Sequence, residues 1–295
     1  MIHIIIPVHN RVKFSKKCLS SLDSQTFRDW KVYFVNDGST DGTSEWLSKM
    51  DRPDVECING DGSLWWTGST NKGVKQALKA CSKEDYIMTL NNDLVFHDNN
   101  ALFLLLNAIA LNNKSICGSI SIEDSEVETI MSSGSKMISW FLNISHHPFV
   151  GRLYSDIKDE SLKEVDMLTG RSVVYPVSAF DNNSFDSVNF PHYGGDSEFT
   201  ARAKRMGYKL FLVPKSAVYV MREETGLNPM DRCLTFREKI LSLFSIRSVS
   251  NLMIRTRFAW KVPPIYARPT YFIVSMIKIF SQLLIGNYIA KRNKY

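Results

Sequence analysis

Three polar stations interrupt apolar runs in the first third of the chain, and each carries side chains able to hold a polar ligand. The fullest is Asn36-Asp37-Gly38-Ser39-Thr40-Asp41-Gly42, which follows the apolar, β-branched run Val32 to Val35. A carboxylate beside glycine, where the backbone lets a ligand come close, suits a partner with many hydroxyl or NH groups. The alternative is an Asx-rich turn that opens a helix, with Asp41 as its N-cap. The same grammar recurs in Pro7-Val8-His9-Asn10-Arg11, at the end of Ile2 to Val8, and in Asn91-Asn92-Asp93, after Tyr86 to Leu90. A later station, His192-Tyr193-Gly194-Gly195-Asp196-Ser197-Glu198, sets two carboxylates ahead of the helical pattern Phe199 to Met206.

For these stations to form one site, the apolar runs must be neighbouring strands. Helical patterns at Ser15 to Leu22, Thr43 to Met50 and Asn71 to Cys81 separate them. Strands alternating with helices predict parallel βαβ units with right-handed crossovers, and ligands in such sheets bind at the carboxyl ends of strands. Neither a Gly-x-Gly-x-x-Gly fingerprint nor a P-loop follows any of the three strands, which argues against dinucleotide and P-loop nucleotide sites. Trp65 and Trp66 fall in a loop between elements. Two adjacent tryptophans cannot both face one core surface, so one either lines a ligand site with its flat apolar face or packs beneath the loop.

At 295 residues, 44% apolar and 22% charged, the chain has room for one large domain with an appendage. Its five cysteines are odd in number, widely spaced and without a Cys-x-x-Cys pair, which fits a reducing compartment and argues against a zinc or disulfide framework. The apolar run begins at once, with no charged region ahead of it, so no signal peptide is expected.

The net charge of +6 hides an asymmetry. From Arg232 to Tyr295 twelve Lys/Arg stand against Glu238 alone, giving +11, whereas the rest holds 24 basic and 29 acidic residues, giving −5. Such a tail suits a polyanionic surface. Within it, Tyr271 to Ile289 is mostly apolar, with Ser275, Lys278, Gln282 and Gly286 at helical spacing as a narrow polar stripe. Lys278 and Gln282 at mid-segment disfavour a span, so an amphipathic helix in the interface of an anionic membrane is expected, with basic residues at the headgroups. Arg255 to Lys261, which includes Trp260, adds to that interfacial composition. The alternative partner for its apolar face is the main domain or a second copy of the chain, a homo-oligomer. Nucleic acid would explain the charge but not the strand-end stations.

Taken together, the stations resemble those of family 2 glycosyltransferases, which have the GT-A fold. Gly62-Ser63-Leu64-Trp65-Trp66-Thr67-Gly68 with Thr70-Asn71-Lys72-Gly73 is similar to a rhamnosyltransferase-like subgroup of surface-polysaccharide enzymes. So is Phe190-Pro191-His192-Tyr193-Gly194-Gly195-Asp196-Ser197-Glu198-Phe199, continued by Arg202-Ala203-Lys204 and Gly207-Tyr208. The resemblance covers roughly residues 2 to 220. It implies an α/β, GT-A-like (Rossmann-like), mostly parallel sheet flanked by helices over 1–220, while charge and composition predict 221–295 as a basic, amphipathic, helical, membrane-associating extension.

The resemblance also implies roles. Asp37 would accept from a pyrimidine NH of the donor, with Pro7, Asn10 and Arg11 bordering the same nucleotide. Trp66, Asn71, Asn91 and Asn92 would complete the donor site. Asp93 would be the ligand of a Mg²⁺ or Mn²⁺ ion that also takes diphosphate oxygens, since such ions sit on one or two carboxylates plus substrate phosphates. Asp196 would remove the acceptor hydroxyl's proton, with Glu198 the fallback, and Thr169, Gly170, His192 and Tyr193 would border the acceptor. Three departures stand out. Asn91-Asn92-Asp93 replaces Asp-x-Asp, Gly195 replaces a Glu, and Val218 to Arg222 lacks the His that many relatives use on the metal, leaving His192 or His97 as substitutes.

The expected reaction is inverting transfer of a hexose (rhamnose, galactose or glucose) from a UDP or dTDP sugar. The acceptor would be a growing, lipid-linked bacterial surface polysaccharide of O-antigen or capsule type, at the cytoplasmic face of the inner membrane. The rivals are a sugar nucleotidyltransferase, which would release pyrophosphate, and a membrane-bound glycan-binding scaffold with a decayed site.

Overall fold

The computed structural model describes residues 1–221 and 233–292. The chain runs β1 (Ile2–Val8), α1 (Val12–Asp23), β2 (Trp30–Asn36), α2 (Thr43–Ser48), β3 (Val55–Asn59), α3 (Trp65–Ala77), β4 (Tyr86–Leu90), β5 (Leu94–Phe96), α4 (Ala101–Leu111) and β6 (Ser115–Glu123). It continues through β7 (Ile130–Ser132), β8 (Lys136–Ser139), β9 (Ile144–His146), β10 (Lys163–Val165), β11 (Ser172–Pro176), α5 (Gly195–Arg205), β12 (Lys209–Val220), α6 (Phe236–Ser242), α7 (Leu252–Lys261) and α8 (Arg268–Arg292).

The main sheet is ordered β10-β12-β6-β11-β4-β1-β2-β3, with β5 added to β12 and β7 to β6. The β4-β1-β2-β3 half is parallel, as the βαβ pattern requires, while β11 runs antiparallel between β4 and β6. β1 is an almost unbroken apolar run because both its faces are covered. Ile2, Ile4, Ile6 and Val8 join the core that α1 and α4 close, and Ile5 joins the opposite core with residues of α3 and α5. Gly73 lets α3 sit directly on the sheet: a Cβ there would lie 2.4 Å from Ile5 Cγ2 and 3.0 Å from Val35 Cγ2. The helix N-terminus is thereby held beside the carboxyl ends of β1 and β2.

One reading needs correction. α3 begins at Trp65 and not at Asn71, so both tryptophans are helical rather than in a loop. The reason is a remote cap on its first turn, supplied by Asp37. On α8 the polar stripe faces the protein: Ser275 is buried and accepts a 3.0 Å bond from Asn143 Nδ2, and Lys278 Nζ donates to the Asn143 carbonyl. The wide apolar seam around that stripe, including Tyr271, packs with Ile254, Phe258 and Ala259 of α7 onto Met167, Phe190 and Ala201. α7 and α8 are therefore docked on the α/β body. Arg222, Arg232 and Lys294 lie outside the described residues.

Candidate active site

The order β4-β1-β2 sets the three stations side by side, and hydrogen bonds lace two of them together. The His9 Nδ1–H donates to the Asp37 carbonyl at 2.6 Å, since a carbonyl can only accept. The Asn10 N–H donates to Ser39 Oγ at 2.8 Å, and Asn10 Oδ1 accepts from the Thr40 N–H at 2.7 Å. These bonds hold Asn10 and Arg11 in left-handed backbone, φ 61° and 66°. For side-chain-bearing residues that conformation is strained by roughly 1–3 kcal/mol each and persists only where its surroundings enforce it. Asp41 caps two helices at once: Oδ2 accepts from the Val12 N–H of α1 at 2.7 Å, and Oδ1 from the Thr43 N–H of α2 at 3.2 Å. The turn reading of Asp41 and the ligand-site reading of its neighbours are thus compatible.

Asp37 is buried, and its carboxylate organises the next loop. Oδ1 accepts from the Gly62 N–H at 2.8 Å, and Oδ2 from the N–H groups of Leu64 and Trp65 at 3.0 and 3.1 Å. These are donors that a helix start leaves without internal partners. An ionised carboxylate offers about four acceptor sites, so three bonds leave room for one further donor. The cap aims Trp66 across the site, where its Nε1–H donates to Asn91 Oδ1 at 2.9 Å. Trp65 turns the other way, its ring 5.5 Å from His192 with the Arg247 guanidinium 5.8 Å from its centroid. Burial, helped by Arg247, lowers the His192 pKa to about 4, which leaves a neutral imidazole beside Tyr193, 4.5 Å between centroids.

Trp66 also reaches the fourth station. A Cβ built on Gly170 would lie 2.5 Å from Trp66 Cη2 and 3.1 Å from Asp196 Cβ, so the Gly170 backbone is pressed between the indole and the carboxylate-bearing residue. The Gly170 N–H donates to Asp196 Oδ2 at 2.8 Å, and the Ser197 N–H donates to Oδ1 at 2.8 Å. A chain of contacts therefore runs Asn91–Trp66–Gly170–Asp196. Gly170→Ala is expected to displace the indole or the carboxylate and to lower turnover about a hundredfold, because misplacing reacting groups by about 1 Å has that effect. Steady-state turnover of the variant, with its melting temperature as control, checks this.

Asp93 sits at the β4 end of the site. Its Oδ1 is buried without a hydrogen-bond partner, and its Oδ2 lies 3.7 Å from Arg11 Nη1. Burial raises its pKa, and the Arg171 and Arg11 charges oppose that rise. Arg171 was not among the candidates. It stands opposite Asn91, whose N–H bonds the Arg171 carbonyl at 3.1 Å. Asn92 Nδ2 donates to Ser15 Oγ at 3.0 Å. Pro7 lies in the last turn of residues of β1, and Thr169 precedes Gly170 at the entry to β11.

Two candidates are structural. Glu198 is only 5% exposed, and both its oxygens are bound by Arg202, Nε to Oε1 and Nη2 to Oε2, each at 2.8 Å. Its carboxylate is therefore committed to a buried bidentate ion pair. Asn71 uses both ends of its amide on the Phe185 backbone, at 2.8 and 3.0 Å, and so clamps a loop rather than a donor. His97 is likewise committed, with Nε2 3.2 Å from Glu128 Oε1, and does not complete a metal site. Among the described residues no three His, Cys, Asp or Glu side chains converge as a ready ligand set. Thr67 was missed: its Oγ1–H donates to the Phe190 carbonyl at 2.6 Å and its N–H to the Pro191 carbonyl at 3.0 Å, fixing the segment that leads to Asp196.

Comparison with known proteins places this geometry. The family model described as glycosyl transferase family 2 matches residues 3–165. A glycosyltransferase, GlyA of Streptococcus pneumoniae, is 43% identical over 44 residues, 15% of this chain and 6% of that protein. Among solved structures, GalNAc-T7 with UDP, GalNAc and Mn²⁺ superposes with a TM-score of 0.63 at 13% identity, over 96% of this chain and 56% of that one. S. aureus TarS 1–349 with UDP gives 0.55 at 15% identity, over 95% of this chain and 72% of that one. The mannosyltransferase PcManGT of Pyrobaculum calidifontis with GDP-Man and Mn²⁺ gives 0.55 at 11%, over 97% and 73%. The chain thus spans a small part of GlyA and just over half of GalNAc-T7. At these identities the structural likeness is one of fold, and that fold is the GT-A α/β fold the sequence predicts.

Proposed function

We propose that the chain, which belongs to glycosyl transferase family 2, is an inverting hexosyltransferase. It moves rhamnose, galactose or glucose from a UDP or dTDP sugar to a growing, lipid-linked bacterial surface glycan of O-antigen or capsule type. It works at the cytoplasmic face of the inner membrane. The observation that carries the reading is the continuous contact from Asn91 through Trp66 and Gly170 to Asp196, which couples a donor station to a single positioned carboxylate. Neighbours solved with UDP, GDP-Man and UDP-GlcNAc support a nucleotide-sugar donor.

In this mechanism the base of the donor occupies the ground between Asp37 and Asn10, and its diphosphate lies toward Asp93. The buried Asp93 Oδ1, without a hydrogen-bond partner, fits a divalent cation, Mg²⁺ or Mn²⁺, which Asp93 would hold. When bound, that cation supplies neutralising charge to the leaving diphosphate. Arg11 and Arg171, which already oppose the Asp93 charge, add positive potential in the same place. Asp196 accepts the proton of the acceptor hydroxyl as that oxygen attacks the anomeric carbon. Base and leaving group on opposite faces of that carbon give inversion.

The test is thermal melting of the full chain with UDP, dTDP, GDP and CMP, each with and without Mn²⁺ or Mg²⁺. A ligand at about 100 times its Kd stabilises the fold by about 2.7 kcal/mol. A metal-enhanced shift with one pyrimidine diphosphate is the expected result. Absence of any nucleotide shift would overturn the donor assignment and leave the glycan-binding scaffold.

A further inference from the structure

We propose that the outward face of α8 seats this protein on an anionic bilayer, the helix lying along the membrane surface instead of crossing it. α8 is apolar on two opposite faces. The inward face is taken: Tyr271, Ile279 and Leu283 are buried, and Tyr271 belongs to the cluster with Phe190 and Phe258. The outward face is not: Ile273, Ile277, Phe280 and Leu284 follow one another at spacings of four, three and four residues and are 56%, 59%, 50% and 80% exposed. A row of that kind at helical period is a continuous apolar stripe. It is extended at the helix start by Ile265 and Tyr266, whose ring lies 5.4 Å from that of Phe141 on the β8–β9 hairpin.

The stretch Ile265–Asn287 is long and apolar enough to cross a membrane by length and composition, at a mean hydropathy of 1.4. Its contacts argue for the flat orientation. Crossing would strip Tyr271 from its cluster, break the Ser275 bond to Asn143, and carry the Lys278 ammonium away from its carbonyl into hydrocarbon. Lying flat keeps all three and buries only the stripe.

Charge selects the occupant. The segment from Arg232 onward carries a net +11, so two copies brought together through α8 would repel, whereas anionic headgroups attract basic residues near the surface. The seat also bears on the site. α7 links α8 to the segment before Asp196, with Phe258 6.1 Å from Phe190 between ring centroids and Arg257 Nη1 donating to the carbonyls of Val188 and Asn189. A protein resting on α8 thus carries its acceptor-side loop on the element next to the membrane. The lipid-linked acceptor reading is deepened by this, yet the seat is testable without donor or acceptor and can fail while the transferase assignment stands.

The experiment is co-sedimentation of the full chain with phosphatidylcholine vesicles, with and without about 30% phosphatidylglycerol, an anionic lipid that attracts basic segments. The parent is expected to bind the anionic vesicles at least about tenfold more tightly and to release in high salt. Ile277→Gln with Leu284→Gln keeps the charge and the fold, both positions being exposed, and is expected to lower vesicle binding about tenfold or more, because interfacial binding scales with the apolar area buried. Unchanged binding of that variant, or no preference of the parent for anionic vesicles, overturns the proposal. So does a parent dimer that the variant dissolves in sedimentation velocity, which would assign the stripe to a second copy. A parent that resists both salt and alkaline carbonate and leaves only in detergent overturns the flat orientation.

Discussion

Replacing Asp196 with asparagine is expected to lower turnover by about a thousandfold while nucleotide-induced stabilisation stays within about twofold of the parent. The carboxylate stands in the first turn of α5, where the helix dipole favours an anion. Its two oxygens each accept one backbone N–H, from Ser197 and from Gly170, and each keeps a lone pair. An asparagine amide must turn its NH₂ toward one of those N–H donors, and it has no anionic oxygen to take the acceptor's proton. A base held by two hydrogen bonds acts through placement more than through strength, so moving or neutralising it removes most of its effect. Glu198 provides no rescue, because Arg202 occupies both its oxygens. Initial rates with the donor that the melting screen selects decide the matter. Turnover within a few-fold of the parent, with an unchanged melting temperature, would sink the assignment of Asp196 as base.

The parts of this molecule that were legible in the sequence are those whose physics is local or repetitive. Ile2 to Val8 reads as a buried parallel strand because isoleucines dominate it and His3 is its one polar side chain, and such a run is stable only between two covering layers. The order of the strand-end stations then fixed which loops share an edge. What stayed hidden depends on partners far along the chain. α3 starts six residues ahead of the expected position because its first N–H groups bond Asp37, 27 residues before Leu64, a partner that no local pattern announces. The Asn71 clamp closes on Phe185, 114 residues away, and the Arg247 contact with Trp65 comes from the basic tail. Glu198 is a different case. A Glu four residues ahead of an Arg on one helix is a readable pair, and that signal was outweighed by the motif around it. On α8 periodicity says that Ser275 and Lys278 share a face, and only the position of Asn143 says what that face meets.

Asp93→Asn is expected to move function and stability in opposite directions. Turnover should fall by about a hundredfold or more, since Asp93 is the carboxylate beside the expected path of the leaving diphosphate, and neutralising charge there is worth several kcal/mol. The metal-dependent part of the nucleotide shift should disappear with it. The protein without ligands should melt higher than the parent near neutral pH. The sign follows from linkage. Burial raises the pKa of Asp93 in the folded protein, and the opposing charges of Arg171 and Arg11 do not cancel that rise. The folded state then holds the Asp93 proton more tightly than the unfolded chain does. Stability is lost as the pH rises from the ordinary aspartate value, about 3.9, through the raised one. Asparagine carries no such cost, so the stabilisation should be full at neutral pH and vanish once the pH falls below that ordinary value, where aspartate is protonated in both states. A melting curve of parent and variant against pH reads this directly. A variant that melts lower than the parent at neutral pH would mean that Asp93 is held by its arginines as a structural ion pair, and its unpartnered oxygen would no longer count as a vacancy kept for a ligand.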